Sequence, residues 1–62
     1  MNYETQLNEI ITLLTQALED AKNFDNGVDV AGKRMRQAAQ DAKTSLQTLR
    51  LSVQAERNSR KS

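Results

Sequence analysis

The residues with chemistry to offer are basic, and they repeat. Arg36, Lys43, Arg50 and Arg57 return every seven positions, and Gln40, Gln47 and Gln54 return with the same step between them. Lys33 and Arg34 crowd the same turn as Arg36, more positive charge than Asp29 and Asp41 can balance. Seven residues are about two helical turns, so each set makes a row along one face of a helix. A row of cations suits the phosphates of a polyanion. Interleaved glutamines add donors and acceptors for phosphate and sugar at no cost in charge. From Arg36 to Arg57 the row would span ~32 Å, comparable to one turn of duplex DNA. No aromatic side chain stands among these residues, so stacking on single strands has no platform. Nothing in the row reads bases, and binding is expected to be sequence-independent and salt-sensitive.

Other chemistries find no residues. The chain has neither His nor Cys, which removes the commonest general base, the thiolate nucleophile and the usual metal ligands. There is no Gly-rich phosphate loop and no ligand cluster. Glu19 and Asp20 are adjacent, so on a helix they point about 100° apart and make a poor acid–base pair. The expectation is a protein that is not an enzyme, with no cofactor, no metal and no small-molecule substrate.

Two helices must carry these rows. With no Pro, two Gly, one Tyr and one Phe in 62 residues, a sheet has little to build on. Asn2 is an N-cap candidate and Glu4 suits a first turn, so the first helix is expected over about 3–24. Its apolar residues Tyr3, Leu7, Ile10, Leu14, Ala17, Ala21 and Phe24 fall at alternating steps of four and three, a heptad seam. A second row, Leu7, Ile11, Leu14, Leu18 and Ala21, overlaps it. With Leu13 the apolar face covers roughly 160°, wider than one neighbouring helix hides. Asn23-Phe24-Asp25-Asn26-Gly27 is the one breaker cluster, which places a turn over 25–28. Gly27 tolerates positive φ and can end the first helix, while Asn26 and Asp29 have the spacing of a capping box. The second helix is expected over about 29–58, with 59–62 a frayed basic tail. Its seam reads Val28, Ala31, Met35, Ala39, Ala42, Leu46, Leu49 and Val53, with Ala38 beside it. Gly32 in that seam suggests close approach near the turn.

A loop this short makes the helices antiparallel neighbours. The fold class is therefore all-α: residues 1–62 form a single two-helix hairpin. A chain of this length, 37% hydrophobic, buries too little by itself. It should oligomerise, or be partly disordered when isolated. We expect a homodimer forming a four-helix bundle, or a homotetramer, with an interface drawn from Leu7, Ile10, Ile11, Leu13, Leu14, Leu18, Leu46, Leu49 and Val53. The second helix should outrun the first, leaving Leu51 and Val53 without cover from their own chain.

The net charge of +1 hides a split. Residues 1–29 hold one lysine against six acids, a net of −5; residues 30–62 hold eight basic residues against Asp41 and Glu56, a net of +6. Such asymmetry hints at a polyanion partner. It is equally what two helices show when they pair with each other. No apolar run approaches the ~20 residues of a membrane span, the basic helix is too rich in alanine to lie on a membrane surface, and the acidic N-terminus is unlike a signal peptide. A cytoplasmic location is expected.

Over about residues 24–57 the chain resembles a known family, the bacterial linker-histone-like proteins of the chlamydial nucleoid-condensing type. The shared pattern is a Gly at the turn, an Ala-Ala/Gly-x-Arg-x-Arg run, then a Lys and an Arg further down the helix. The matching residues are Gly27, Ala31, Gly32, Arg34, Met35, Arg36, Gln40, Asp41, Lys43, Leu49, Arg50, Val53 and Gln54. The resemblance implies DNA binding in the nucleoid, carried by Arg34, Arg36, Lys43 and Arg50. The chlamydial-type proteins continue into a long Lys/Ala-rich tail, whereas this sequence stops at Arg60-Lys61-Ser62, so the match is to a short, tail-less form.

The expected protein is a non-sequence-specific, histone-like architectural protein whose Lys33, Arg34, Arg36, Lys43, Arg50, Arg57, Arg60 and Lys61 meet the DNA backbone. The rival is a helical oligomeric adaptor or scaffold that binds no nucleic acid, its basic residues paired with the acidic half. The two differ in whether the basic row is free once the helices pack.

Overall fold

A computed structural model describes residues 2–61, which form two helices and the turn between them. Helix α1 runs Tyr3–Asp25 and helix α2 runs Asp29–Lys61. They pack antiparallel into a rod of 54 × 16 × 12 Å. The chain is an all-α hairpin, as the heptad spacing and the short turn predict.

Local chemistry sets both ends of α1. Asn2 has extended backbone, and its Oδ1 accepts a hydrogen bond from the Thr5 N–H at 3.0 Å. That satisfies one of the four N–H groups a helix start leaves open. At the other end Gly27 takes φ 94°, the left-handed conformation. The Gly27 N–H then reaches the Phe24 carbonyl and the Val28 N–H reaches the Asn23 carbonyl, both at 3.0 Å. These two bonds form the glycine-closed Schellman end of a helix. Asn26 is therefore the C-cap of α1, and not half of a capping box for α2. The box fails because α2 begins at Asp29, which makes Val28 the residue before its first turn. Asp29 does lie in that first turn, where the helix dipole favours an anion.

The turn of helix continues through Ser59, Arg60 and Lys61, past the expected fraying point. An ion pair from Arg60 Nη2 to Glu56 Oε1 at 3.0 Å braces this last turn. Positive side chains there also complement the carbonyl end of the helix.

The seam between the helices differs from the expected one by a rotation of each helix. In α1 the residues turned inward are Tyr3, Gln6, Ile10, Leu13 and Ala17, with Asp20 and Ala21 following. In α2 they are Ala31, Met35, Ala38, Ala42, Leu49, Ser52 and Glu56. Ala38 is buried and Ala39 is exposed, the reverse of their expected places, and Leu7, Leu14, Leu46 and Val53 lie outside the seam. Alanine explains the choice. Ala31, Ala38 and Ala42 are buried against α1, and such small side chains let two backbones approach where leucines would hold them apart. Near the turn the Phe24 ring lies over Gly32: a methyl group there would stand 2.5 Å from Phe24 Cε1. The close approach that Gly32 suggests is present.

The resulting core is thin. Ile10, Ala31, Ala38 and Ala42 are its buried residues among those described, and no large side chain is fully enclosed. Among the described residues no helix is long and apolar enough to cross a membrane.

Candidate nucleic-acid interface

The rotation of the two helices decides what lies beside the basic row. Three shallow concavities succeed one another along one broad side of the hairpin. Near the turn Phe24, Gly32, Met35 and Ala39 meet Lys33 and Arg36. Midway, Leu14, Ala39, Ala42 and Leu46 meet Lys43, Gln47 and Arg50. At the far end Tyr3 and Val53 meet Glu56, Arg57 and Arg60. Together they make one groove with an apolar floor and a basic edge.

Every strip of this groove repeats by seven. The α2 edge is Arg36, Lys43, Arg50 and Arg57. The α2 side of the floor is Gly32, Ala39, Leu46 and Val53, and the α1 side is Leu7, Leu14 and Ala21. The α1 edge is Glu4, Ile11, Leu18 and Asp25. That last row is acidic at both ends and apolar in the middle, and the charge split of the sequence did not single it out. The opposite side of the hairpin is mostly polar, with Gln6, Glu9, Thr44, Ser45 and Thr48 around Ile10 and Leu13.

The eight cations of α2 divide into two groups. Arg34 Nε donates to Asp20 Oδ1 at 2.9 Å across the two helices. Arg60 is held by Glu56 on its own helix. These two are engaged by carboxylates, as the adaptor reading expects of all of them. Lys33, Arg36, Lys43 and Arg57 are exposed and meet no carboxylate among the described residues. Arg50 Nε donates only to the neutral Gln47 side chain, at 3.4 Å. Lys61 is likewise exposed and meets no carboxylate among the described residues. The seven-step row thus survives assembly of the hairpin, while the cation that the resemblance ranks beside it, Arg34, is taken up by α1.

Of the expected interface residues, Ile10 is buried inside the hairpin, and Leu13 and Leu49 are half-buried there. Leu7, Ile11, Leu14, Leu18, Leu46 and Val53 are exposed.

One cluster went unnoticed in the sequence. The Tyr3 hydroxyl donates to the Glu56 carboxylate, which also accepts from Arg60. Tyr3's bond holds the Glu56 carboxyl below its ordinary range, with Arg60 adding to the effect. The same bond to Glu56 raises the Tyr3 phenol above its usual value. The available signal was the register: in an antiparallel hairpin closed at residue 28, the third residue falls beside the fifty-third, and Glu56 stands about one helical turn further on. This clasp ties the start of α1 to the end of α2.

No group of side chains suited to a metal ion occurs among the described residues. What the described residues present along this side is a charged edge.

Neither the curated proteins nor the solved structures compared with this chain match it. A family model does match, that of the histone H1-like protein Hc1, over residues 4–59. The match takes in α1 as well as the basic helix, so it extends beyond the 24–57 stretch on which the resemblance rests. The chain belongs to the histone H1-like protein Hc1 family.

Proposed function

We propose that this chain binds duplex DNA without sequence preference, in an architectural role within the nucleoid. The single observation that carries the reading is the exposed row Arg36, Lys43, Arg50 and Arg57, unpaired with any carboxylate among the described residues. Membership of a histone H1-like family supports the same reading. These four side chains neutralise phosphates along one strand. Lys33 and Lys61 extend the contact at its two ends. Arg34 and Arg60 contribute less, because each must first share or leave its carboxylate. Gln40, Gln47 and Gln54 stand one turn from the row and bond phosphate or sugar oxygens. Release of condensed counterions supplies most of the affinity, which makes binding weak at high salt and indifferent to sequence. The basic helix acts within a homo-oligomer that presents more than one such row.

The test is a mobility-shift titration on unrelated duplexes at two salt concentrations. Equal retention on all sequences, weakening steeply with salt, supports the reading. No retention at low salt, with the protein folded, would return the chain to the adaptor reading, which the Arg34–Asp20 and Arg60–Glu56 pairs favour.

A further inference from the structure

The turn that joins the helices carries a reactive pair that the basic row does not use. Of the five asparagines in the chain, Asn26 alone precedes a glycine. A following glycine has no side chain to keep its backbone nitrogen away from the asparagine amide. Both residues are exposed, and a methyl group placed on Gly27 would meet nothing within 4 Å. We propose that Asn26 is a site of spontaneous deamidation, gated by the hydrogen bonds that close α1, and that its conversion loosens the hairpin. The proposal goes beyond the DNA reading and does not depend on it.

The chemistry needs only water. The Gly27 backbone nitrogen gives its proton to solvent and attacks Asn26 Cγ. A bond forms between the two, the Cγ–Nδ2 bond breaks, and the side-chain nitrogen leaves as ammonia, taking a proton from solvent. The product is a five-membered imide. Water then opens the ring at Cγ, which leaves aspartate, or at the main-chain carbonyl, which leaves isoaspartate with the chain routed through Cβ and Cγ. One water enters and one ammonia departs, with no change in oxidation state.

The folded turn opposes the first step. Asn26 holds φ −89° and ψ 9°. Ring closure needs the Gly27 nitrogen on the side of Cβ, whereas a ψ near zero places it beside the backbone nitrogen of Asn26. Turning it round breaks the bonds from the Gly27 N–H to the Phe24 carbonyl and from the Val28 N–H to the Asn23 carbonyl, both 3.0 Å. Reaction therefore waits on local opening of the turn. Two ordinary hydrogen bonds correspond to about a thirtyfold slowing. The product then undoes the turn that delayed it. Isoaspartate lengthens the backbone between Asp25 and Gly27, so the two bonds no longer close together. Either product adds a carboxylate between Asp25 and Asp29, at the C-terminal end of α1, where the helix dipole disfavours an anion. Asn8 and Asn23 lie inside α1 and precede Glu9 and Phe24, so neither is placed to react.

The experiment ages the whole chain without DNA at mildly alkaline pH, folded and in urea, and follows each asparagine by peptide mass mapping with isoaspartate detection. Asn26 should convert in both samples, about thirtyfold more slowly in the folded one. Asn8 and Asn23 should keep their amides in the folded chain. The isoaspartate fraction of the folded sample, separated by chromatography, should melt about 10 °C below the fresh chain. Asn26→Gln, whose longer side chain closes no five-membered ring, should keep through the same ageing whatever melting temperature it starts with. An Asn26 that stays intact in urea overturns the site. So does conversion of Asn8 or Asn23 as fast as Asn26 in the folded chain. Equal rates in the folded and unfolded chain overturn the gate. An isoaspartate fraction that melts with the fresh chain, or an Asn26→Gln chain that loses stability as the wild type does, overturns the loosening.

Discussion

Replacing Arg36, Lys43 and Arg50 together by Ala removes three of the four cations in the unpaired row. All three side chains are exposed and none holds a carboxylate among the described residues. Alanine is the best helix former, so α2 should keep its fold. The consequence for DNA follows from counterion release. Each neutralised phosphate contributes about −0.9 to the slope of log K against log salt on B-DNA. The four row contacts with Lys33 and Lys61 give a slope near −5.4, and a fourfold rise in salt then lowers the affinity about 1,800-fold. With Arg57, Lys33 and Lys61 remaining, the slope falls to about −2.7 and the same rise in salt costs only about 40-fold. The control is Arg34→Ala. Its guanidinium bonds Asp20 at 2.9 Å, so its removal should leave the slope nearly unchanged and weaken the hairpin only slightly, as exposed pairs do. Fluorescence anisotropy with a labelled duplex at a series of salt concentrations measures the slope, and far-ultraviolet circular dichroism checks the fold. A triple variant whose slope equals that of the wild type would refute the reasoning. Arg34→Ala flattening the slope as much as the triple variant would refute it too, because the division into paired and free cations would then carry no meaning.

Three further outcomes follow from the geometry. Gly32→Ala gains about 1 kcal/mol of helix propensity, but its Cβ would stand 2.5 Å from Phe24 Cε1 and 2.7 Å from Cδ1. The ring must leave, losing about 1 kcal/mol of residual burial. The substitution should therefore be near neutral in the wild type and stabilising by about 1 kcal/mol in a Phe24→Ala background; a denaturant double-mutant cycle without that coupling contradicts the contact. The clasp at the open end should weaken at both extremes of pH. Glu56's carboxyl is lowered by the Tyr3 hydroxyl and by Arg60, so its contribution is present above the ordinary carboxylate range and disappears as pH falls through the lowered value. Tyr3 is raised above 10.0 by Glu56, so its contribution is present below that value and disappears as pH rises through the raised one. An ultraviolet titration of the single tyrosine should show its ionisation moving down toward 10.0 in Glu56→Ala; an unmoved curve contradicts the clasp. Asn2→Ala, which removes the acceptor for the Thr5 N–H, should cost about 1 kcal/mol by thermal unfolding, and no loss would mean the cap is idle.

Much of this protein is local, and local features are legible in a sequence. The N-cap at Asn2, the left-handed Gly27 and the turn over 26–28 each depend on a few adjacent residues. The seven-step rows are also local, because the pitch of a helix places residues at that interval on one line whatever surrounds them. Thus the helices, the hairpin and the basic row followed from residue types and spacing. Which row would meet which did not. The apolar face of α1 is wide enough to turn Leu7 and Leu14 inward or Gln6 and Leu13, and rotating a helix about its own axis changes none of its internal hydrogen bonds. Only packing against α2 separates the choices. The alanines at 31, 38 and 42 bring the backbones close and leave the bulkier Leu14, Leu46 and Val53 in the groove. The pairing of charges was decided at the same level. Arg34 lies two residues from Arg36 in sequence, yet one side chain reaches Asp20 and the other faces water, because two residues on a helix point about 200° apart.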